Sequence, residues 1–173
     1  MNIPIKVLIA DDHAIVRNGL TALLVDIPDI NVIAESTNGT EVLEKLNDGV
    51  APDIIIADLN IQTLDGISVT KQLTLTHPHT KLIILTAVDD ELMILKCFEV
   101  GARGYLLKNA SAMEIIFAIR QVNLGHKYIS TSIGIRLLTK TPKKPAIPCS
   151  TASFDINITK REIEILSLDY KKN

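Results

Sequence analysis

The sequence predicts an α/β protein built on an open, parallel, doubly wound sheet, and three observations lead to this fold class. Short apolar runs of strand length recur five times along the chain. The runs are rich in valine, isoleucine and leucine and do not alternate with polar residues, which is typical of strands covered on both faces. A segment with apolar residues at helical spacing follows each run. This βα repeat implies parallel strands joined by right-handed crossovers.

The predicted strands cover residues 6–10, 31–34, 53–57, 82–85 and 104–107. Each is four or five residues long and consists largely of branched apolar side chains, as expected for buried strands. Five such βα units form a flavodoxin-like (βα)5 sheet, in which the strand order is 2-1-3-4-5. That order reverses direction between the first and third strands, and ligands of open α/β sheets bind there.

The predicted helices cover residues 14–25, 39–47, 67–76, 91–100 and 111–124. The first shows the helical period in its apolar residues Ile15, Val16, Leu20, Leu23 and Leu24. After Gly125 the pattern changes to a short apolar helix over 133–138 and then to lysines interleaved with three prolines over 141–148, which predicts an extended linker.

We therefore divide the chain into three parts. Residues 1–128 form the α/β domain, residues 129–153 a helix followed by the proline- and lysine-rich linker, and residues 154–173 a short helical or disordered tail.

Composition indicates a folded protein without membrane spans. Hydrophobic residues make up 47% of the chain and charged residues 22%, and no stretch reaches the 18 or more apolar residues that a membrane helix needs. The N-terminus lacks the pattern of a secretory signal, so we expect a soluble, cytoplasmic protein. Residues 139–173 carry 7 basic against 4 acidic side chains, an excess that is typical of a solvated linker and does not by itself indicate nucleic-acid binding.

Cysteines and histidines are not expected to carry the chemistry. Cys97 and Cys149 lack metal-ligand spacing and are predicted to be reduced thiols without a role. The four histidines (His13, His77, His79 and His126) show no mutual spacing of a metal or catalytic site, and we interpret them as structural or solvated residues.

Acidic residues follow two of the predicted strands. Asp11 and Asp12 follow the first strand and Asp58 follows the third, so the flavodoxin-like order brings the three carboxylates together. Two carboxylates about 4 Å apart repel by roughly 4 kcal/mol at an effective dielectric constant near 20, so the cluster requires a proton or a cation. An all-oxygen ligand set favours Mg²⁺. A single aspartate at a strand end is more often a helix cap, and only the joint pattern indicates a site.

Two further side chains reach the same edge of the sheet. Thr86 ends the fourth strand and Lys108 follows the fifth. The site therefore combines a nucleophilic aspartate with metal-binding acids, a hydroxyl and an ammonium. This combination indicates phosphoryl transfer, with Asp58 as the nucleophile. Thr86 could equally be an ordinary strand residue, and so could Tyr105, because both types favour strands.

Four motifs resemble the receiver domain of two-component response regulators over about residues 4–128. They are Ala10-Asp11-Asp12-His13, Asp58-Leu59 through Leu64-Asp65-Gly66, Leu85-Thr86-Ala87, and Gly101 through Lys108. The resemblance implies that Asp58 is the phosphoacceptor, that Asp12 binds Mg²⁺ directly and Asp11 partly through water, and that the backbone carbonyl of Asn60 is a further ligand. It also implies that Thr86 and Lys108 bind the phosphoryl oxygens, and that Tyr105 is the aromatic residue that moves with Thr86.

Further residues resemble the NarL/FixJ class of response regulators, whose members usually end in a LuxR-type helix-turn-helix. These are Asp-Asp-His, the segment 16–20, and Lys108-Asn109-Ala110 where many receivers have Lys-Pro. One departure is Ile61-Gln62, which stand where the family commonly has Met-Pro. Without that proline we expect a looser loop after the phosphoacceptor and leave the phosphoryl lifetime open.

The tail is similar to the opening of a LuxR-type domain over residues 159–166. Thr159 and Glu162 form a predicted capping box, so a helix should begin at Lys160. No remaining segment supplies the second helix that would enter the major groove, so we interpret 154–173 as the truncated start of such a domain. A natural truncation, a shifted reading frame and the end of an expressed fragment remain open, and specific DNA binding is expected only if a complete helix-turn-helix exists.

The resemblance implies a non-enzymatic phosphorylation switch. A sensor histidine kinase donates the phosphoryl group with the help of Mg²⁺, and the modified receiver changes a surface that controls homodimerisation and a transcriptional output. One alternative is a stand-alone receiver with a protein-interaction output. Another is an aspartyl-phosphate phosphatase, which needs a carboxylate two residues after its nucleophile, where Asn60 stands. A dinucleotide-binding fold is disfavoured because no glycine-rich turn follows the first strand.

Overall fold

A computed structural model describes residues 3–140, except for the side chain of Lys140, and contains six strands and six helices in that range. The strands are β1 (Ile5–Ala10), β2 (Ile30–Ser36), β3 (Ile54–Ala57), β4 (Lys81–Thr86), β5 (Gly104–Leu107) and β6 (Tyr128–Ile129). The helices are α1 (Ala14–Leu24), α2 (Gly39–Asn47), α3 (Gly66–Thr76), α4 (Glu91–Glu99), α5 (Ala112–Asn123) and α6 (Thr131–Lys140). None of these described helices is long and apolar enough to cross a membrane.

Three features of the sequence analysis lie outside the described residues: the predicted linker over 141–148, Cys149, and the predicted tail helix that begins at Lys160. The division of the chain at residues 128 and 153 stays a prediction. Within the described range, Cys97 is a free cysteine in the core, where burial raises the pKa of its thiol to about 11.

The sheet is parallel throughout, with the strand order β2-β1-β3-β4-β5-β6. The predicted fold class is therefore confirmed, and the order of the first five strands agrees with the prediction. The ends of the first five predicted helices lie within one residue of those observed.

The sixth strand was not predicted. The amide of Tyr128 donates to the carbonyl of Arg103 over 2.9 Å, and the amide of Ser130 donates to the carbonyl of Tyr105 over 2.9 Å. A strand of two residues is too short to show a hydrophobic period, and only its pairing with β5 defines it. It leads into α6, whose Ile133 is 1% exposed in the core beside β5.

Three consecutive isoleucines of β3 show that the sheet is covered on both faces. Ile55 packs in a cluster with residues of α2, α3, α4 and α6, whereas Ile54 and Ile56 pack with residues of α1 and α5. Each of the three is at most 1% exposed. Burial of such a side chain stabilises the fold by about 1.5–3 kcal/mol. Because helices cover both faces, the strands carry no polar alternation.

Four helices begin at a side chain that accepts a hydrogen bond from a backbone amide three residues later. The capping residues are Asn38 for α2, Asp65 for α3, Asp90 for α4 and Ser111 for α5. Each cap satisfies one of the amides that a helix start leaves unpaired and contributes about 1 kcal/mol.

The start of α2 has a second stabilising contact at Glu41. Its carboxylate accepts a hydrogen bond from the Lys45 ammonium over 2.6 Å and from the Thr37 amide over 2.7 Å. The Lys45 contact and then the Thr37 amide lower the pKa of Glu41 from 4.5 to about 2. Because the folded-state pKa is depressed, this stabilisation is fully present above about pH 4.5 and is lost as pH falls towards 2.

We therefore expect Glu41→Gln to lower the free energy of unfolding by about 1 kcal/mol at pH 7, a value that allows for solvent screening of a pair whose side chains are each 30% exposed. At pH 3 the difference in free energy of unfolding between Glu41→Gln and wild type should be less than half of its value at pH 7. The reason is that Glu41 of the unfolded wild-type chain is protonated at pH 3. Urea unfolding at both pH values measures this, with Glu44→Gln on the exposed face of α2 as control. A difference that does not change with pH would contradict the assignment.

Candidate functional site

Asp11 and Asp58 lie side by side at the carboxyl edge of the sheet. Asp11 follows β1, and its amide donates to the carbonyl of Ser36 at the end of β2 over 3.2 Å. Asp58 follows β3, and its amide donates to the carbonyl of Ala10 at the end of β1 over 2.9 Å. The parallel register of β1 and β3 therefore places the two aspartates next to each other at the ends of their strands. Asp11 is 2% exposed and Asp58 is 6% exposed.

The predicted acidic cluster is present. One ligand atom from each of Asp11, Asp12, His13 and Asp58 lies within 4.8 Å of the others. The carboxylates of β1 and β3 thus converge, as the strand order predicts. Such a cluster is unfavourable without a compensating positive charge.

Lys108 supplies positive charge to this cluster. Its ammonium nitrogen lies 2.7 Å from Asp11 Oδ2 and 2.9 Å from Asp58 Oδ2, and its side chain is 21% exposed. Burial opposes the charge on Lys108, but the hydrogen bonds to the two aspartates outweigh burial and raise its pKa above the usual value. The ammonium therefore stays protonated throughout the physiological range.

Two carboxylate oxygens of the cluster are buried without a hydrogen bond from any described residue: Asp12 Oδ1 and Asp58 Oδ1. Buried carboxylate oxygens are normally hydrogen-bonded or bound to a cation. The unpaired oxygen of Asp12, together with the all-oxygen donor set of the three aspartates, fits a hard divalent cation such as Mg²⁺.

His13 is a member of the cluster that the sequence interpretation missed. Its Nδ1 atom lies 3.1 Å from Asp11 Oδ1 and 2.8 Å from Asp12 Oδ1, although 66% of the side chain is exposed. The contact to Asp12 Oδ1 lacks hydrogen-bond geometry. Spacing among histidines did not reveal this contact because the partners of His13 are aspartates.

Thr86 and Tyr105 meet at one residue of the loop between β4 and α4. The hydroxyl of Thr86 accepts a hydrogen bond from the amide of Val88 over 3.3 Å, and the hydroxyl of Tyr105 donates to the carbonyl of Val88 over 2.8 Å. Both side chains are almost completely buried. Burial raises the pKa of Tyr105, so its hydroxyl keeps its proton and remains a donor. The predicted switch roles of both residues stay predictions, but the two side chains are linked through Val88.

The loop after Asp58 makes several hydrogen bonds of its own. The carbonyl of Gln62 accepts from the amide of Gly39 over 3.2 Å and from the amide of Leu64 over 2.8 Å. Asn60 lies exposed in the turn after Asp58, and its role as a carbonyl ligand stays a prediction. Close packing at Gly66 fixes the other end of the loop, because an added Cβ would lie 2.8 Å from the carbonyl oxygen of Asp58.

A parallel α/β sheet with an acidic cluster at its carboxyl edge, and a lysine bound to that cluster, is the arrangement expected of a receiver domain. Residues 7–120 match the family model described as "Response regulator receiver domain". The chain therefore belongs to the receiver family of two-component response regulators. Its relatives are of the NarL and LuxR type, so the resemblance found in the sequence is confirmed.

Two curated relatives illustrate the similarity. Transcriptional regulatory protein LiaR of Bacillus subtilis is 37% identical over 166 residues, which cover 95% of this chain and 75% of that protein. Oxygen regulatory protein NreC of Staphylococcus epidermidis is 34% identical over 167 residues, which cover 94% of this chain and 76% of that protein.

Solved structures agree with this assignment. The LuxR-family two-component response regulator from Aurantimonas sp. SI85-9A1 is similar with a TM-score of 0.74 and 28% identity, over 79% of this chain and 96% of that one. The signal receiver domain of the putative response regulator NarL from Mycobacterium tuberculosis is similar with a TM-score of 0.69 and 26% identity, over 72% of this chain and 99% of that one.

Proposed function

We propose that this receiver accepts a phosphoryl group on Asp58 from the phosphohistidine of a sensor histidine kinase. One observation carries the proposal: Asp58 Oδ2 is bound by Lys108, whereas the buried Asp58 Oδ1 has no hydrogen-bond donor among the described residues. One oxygen is thus oriented and the other is left to react. We infer that the protein is a phosphoacceptor and not an enzyme with a separate substrate, and that it acts in the cytoplasm.

In the proposed transfer, Asp58 Oδ1 attacks phosphorus in line with the leaving histidine nitrogen. The new O–P bond forms as the N–P bond breaks, and the bonding pair stays on the imidazole nitrogen. The Lys108 ammonium then binds an oxygen of the transferred phosphoryl group and neutralises part of its charge. Asp11, Asp12, Asp58 and the Asn60 carbonyl would hold Mg²⁺, which when bound offsets the charge of the carboxylates and the phosphoryl group.

The same proposal gives Thr86 and Tyr105 their roles. A hydrogen bond from the Thr86 hydroxyl to a phosphoryl oxygen draws Thr86 towards Asp58 and thereby stretches the hydrogen bond that its oxygen accepts from the Val88 amide. Because Tyr105 binds the carbonyl of Val88, the loop and Tyr105 respond together. We propose that the changed surface favours a homodimer and thereby a transcriptional output, with specific DNA binding only where a complete helix-turn-helix is present.

Phosphorylation of Asp58 is tested with the purified protein, Mg²⁺ and acetyl phosphate. We expect intact-protein mass spectrometry to show the gain of one phosphoryl group, which EDTA abolishes. Asp58→Asn should show none, because an amide oxygen is too weak a nucleophile.

The matched control is Asp53→Asn, at the opposite end of β3, where the carboxylate accepts a hydrogen bond from the amide of Lys6 over 2.7 Å. It should be phosphorylated like the wild type. An equal mass gain in Asp58→Asn, or no gain in the wild type, contradicts the proposal.

A further inference from the structure

The side chain of Gln62 contacts one of the carboxylates of the site. Its amide nitrogen Nε2 donates a hydrogen bond to Asp12 Oδ2 over 3.2 Å. Asp12 Oδ1, the other oxygen of the same carboxylate, is buried, lies 2.8 Å from His13 Nδ1 and accepts no hydrogen bond from the described residues. The two oxygens of Asp12 are therefore in different environments, and Gln62 contributes to the difference.

We propose that Gln62 is a positioning residue for the metal site: its amide holds Asp12 Oδ2 and so leaves Asp12 Oδ1 for the divalent cation. This inference rests on the proposed function. Proline, which the family commonly has at this position, carries no side-chain donor and could not make this contact.

The backbone that carries Gln62 is held in place. The Gln62 carbonyl accepts hydrogen bonds from the amides of Gly39 and Leu64 and from the hydroxyl of Thr63, the last over 2.7 Å. Thr63 has a φ of 63°, in the left-handed region, and its hydroxyl oxygen also lies 3.2 Å from the side-chain oxygen of Asn38. The amide is thus presented from a restrained backbone, which reduces the entropy lost when it binds Asp12.

A neutral amide suits this position better than a charged group. A lysine would compete with the cation for the carboxylate, and a second carboxylate would add repulsion to a cluster that is already acidic. An amide fixes the carboxylate orientation without changing the net charge of the site. Outer hydrogen-bond partners of metal ligands typically change metal affinity by 10–100-fold, and because Gln62 is exposed we expect an effect of about 3–10-fold.

The inference is tested by calorimetric titration of Mg²⁺ into the full chain. We expect Gln62→Ala and Gln62→Met each to raise the dissociation constant for Mg²⁺ by about 3–10-fold, because both lack the amide and methionine keeps much of the side-chain length. Gln72→Ala, the same change on the exposed face of α3, should leave the constant within twofold of wild type.

A second readout separates positioning from a structural role. The free energy of unfolding in EDTA should be the same for Gln62→Met and wild type, since an exposed side chain contributes little to folding. The Mg²⁺ concentration that half-saturates phosphorylation by acetyl phosphate should rise by the same 3–10-fold, with the rate at saturating Mg²⁺ unchanged.

The outcomes are distinguishable. A dissociation constant for Gln62→Met equal to that of wild type overturns the positioning role and leaves the proposed function standing. A wild-type protein that binds no Mg²⁺ overturns the proposed function and the positioning role together. Weaker Mg²⁺ binding in both Gln62 variants, with unchanged unfolding in EDTA, supports the positioning role.

Discussion

Lys108→Met should lower the free energy of unfolding by about 2–3 kcal/mol in metal-free buffer, because it leaves two buried carboxylates without their positive partner. The Lys108 ammonium contacts both Asp11 and Asp58 within 3 Å, so one substitution removes two charge-assisted hydrogen bonds. Addition of Mg²⁺ should reduce the deficit, since a bound cation offsets the same charges. Phosphorylation should fall sharply because no ammonium neutralises the transferred oxygens.

Urea unfolding with EDTA and with Mg²⁺ measures this effect. Lys71→Met, on the exposed face of α3, is the control and should change stability by less than about 0.5 kcal/mol. In the double variant Lys108→Met/Asp58→Asn, part of the lost stability should return, because one of the unpaired charges is gone. If Lys108→Met is as stable as wild type in EDTA, the ammonium does not compensate the acidic cluster.

Gly39→Ala should cost about 3 kcal/mol of folding free energy, the other large effect that we expect. An alanine Cβ at this position would lie 2.0 Å from the carbonyl oxygen of Leu64 and 2.9 Å from its carbonyl carbon. Both are backbone atoms, so the clash is relieved only if α2 or the loop after Asp58 moves, and overpacking of this kind costs 1–3 kcal/mol or more. The movement would also disturb the hydrogen bond from the Gly39 amide to the Gln62 carbonyl.

Thermal and urea unfolding compare Gly39→Ala with Gly19→Ala. Gly19 lies inside α1, and a Cβ there would meet no atom within 4 Å. Its replacement should therefore stabilise the protein by about 0.5–1 kcal/mol, because alanine favours the helix. Opposite signs for two chemically identical substitutions are the expected result. Equal effects would mean that the contact between α2 and the loop is not tightly packed.

The strand and helix pattern was predictable because it depends on residue type and local period. Apolar runs without polar alternation indicated buried parallel strands, and the structure confirms that helices cover both faces of β3. Strand β6 was missed because two residues carry no period, and it exists through pairing with β5. Helix α6 extends two residues beyond the predicted range at each end, from Thr131 to Lys140.

Much of the site was predictable for a different reason. Parallel strands end at one edge of the sheet, so acids that follow β1 and β3 converge whatever their detailed conformations. The contacts of His13 and Gln62 were not predictable in this way. Gln62 and Asp12 are 50 residues apart, and their contact depends on how the loop after Asp58 packs against α2. The expected loosening of that loop stays a prediction. In the structure, the Gln62 carbonyl accepts a hydrogen bond from the amide of Gly39, the first residue of α2.

The amino-acid sequence by itself determined the fold class, the positions of the first five strands and five helices, and the edge at which Asp11, Asp12 and Asp58 gather, because each of these follows from local pattern and strand order. Only the tertiary structure decided which atoms meet: Lys108 with two carboxylates, Gln62 with Asp12, and Thr86 with Tyr105 through Val88. Side-chain contacts depend on rotamers and on packing between distant segments, and the free-energy differences that select them are not encoded in any local period.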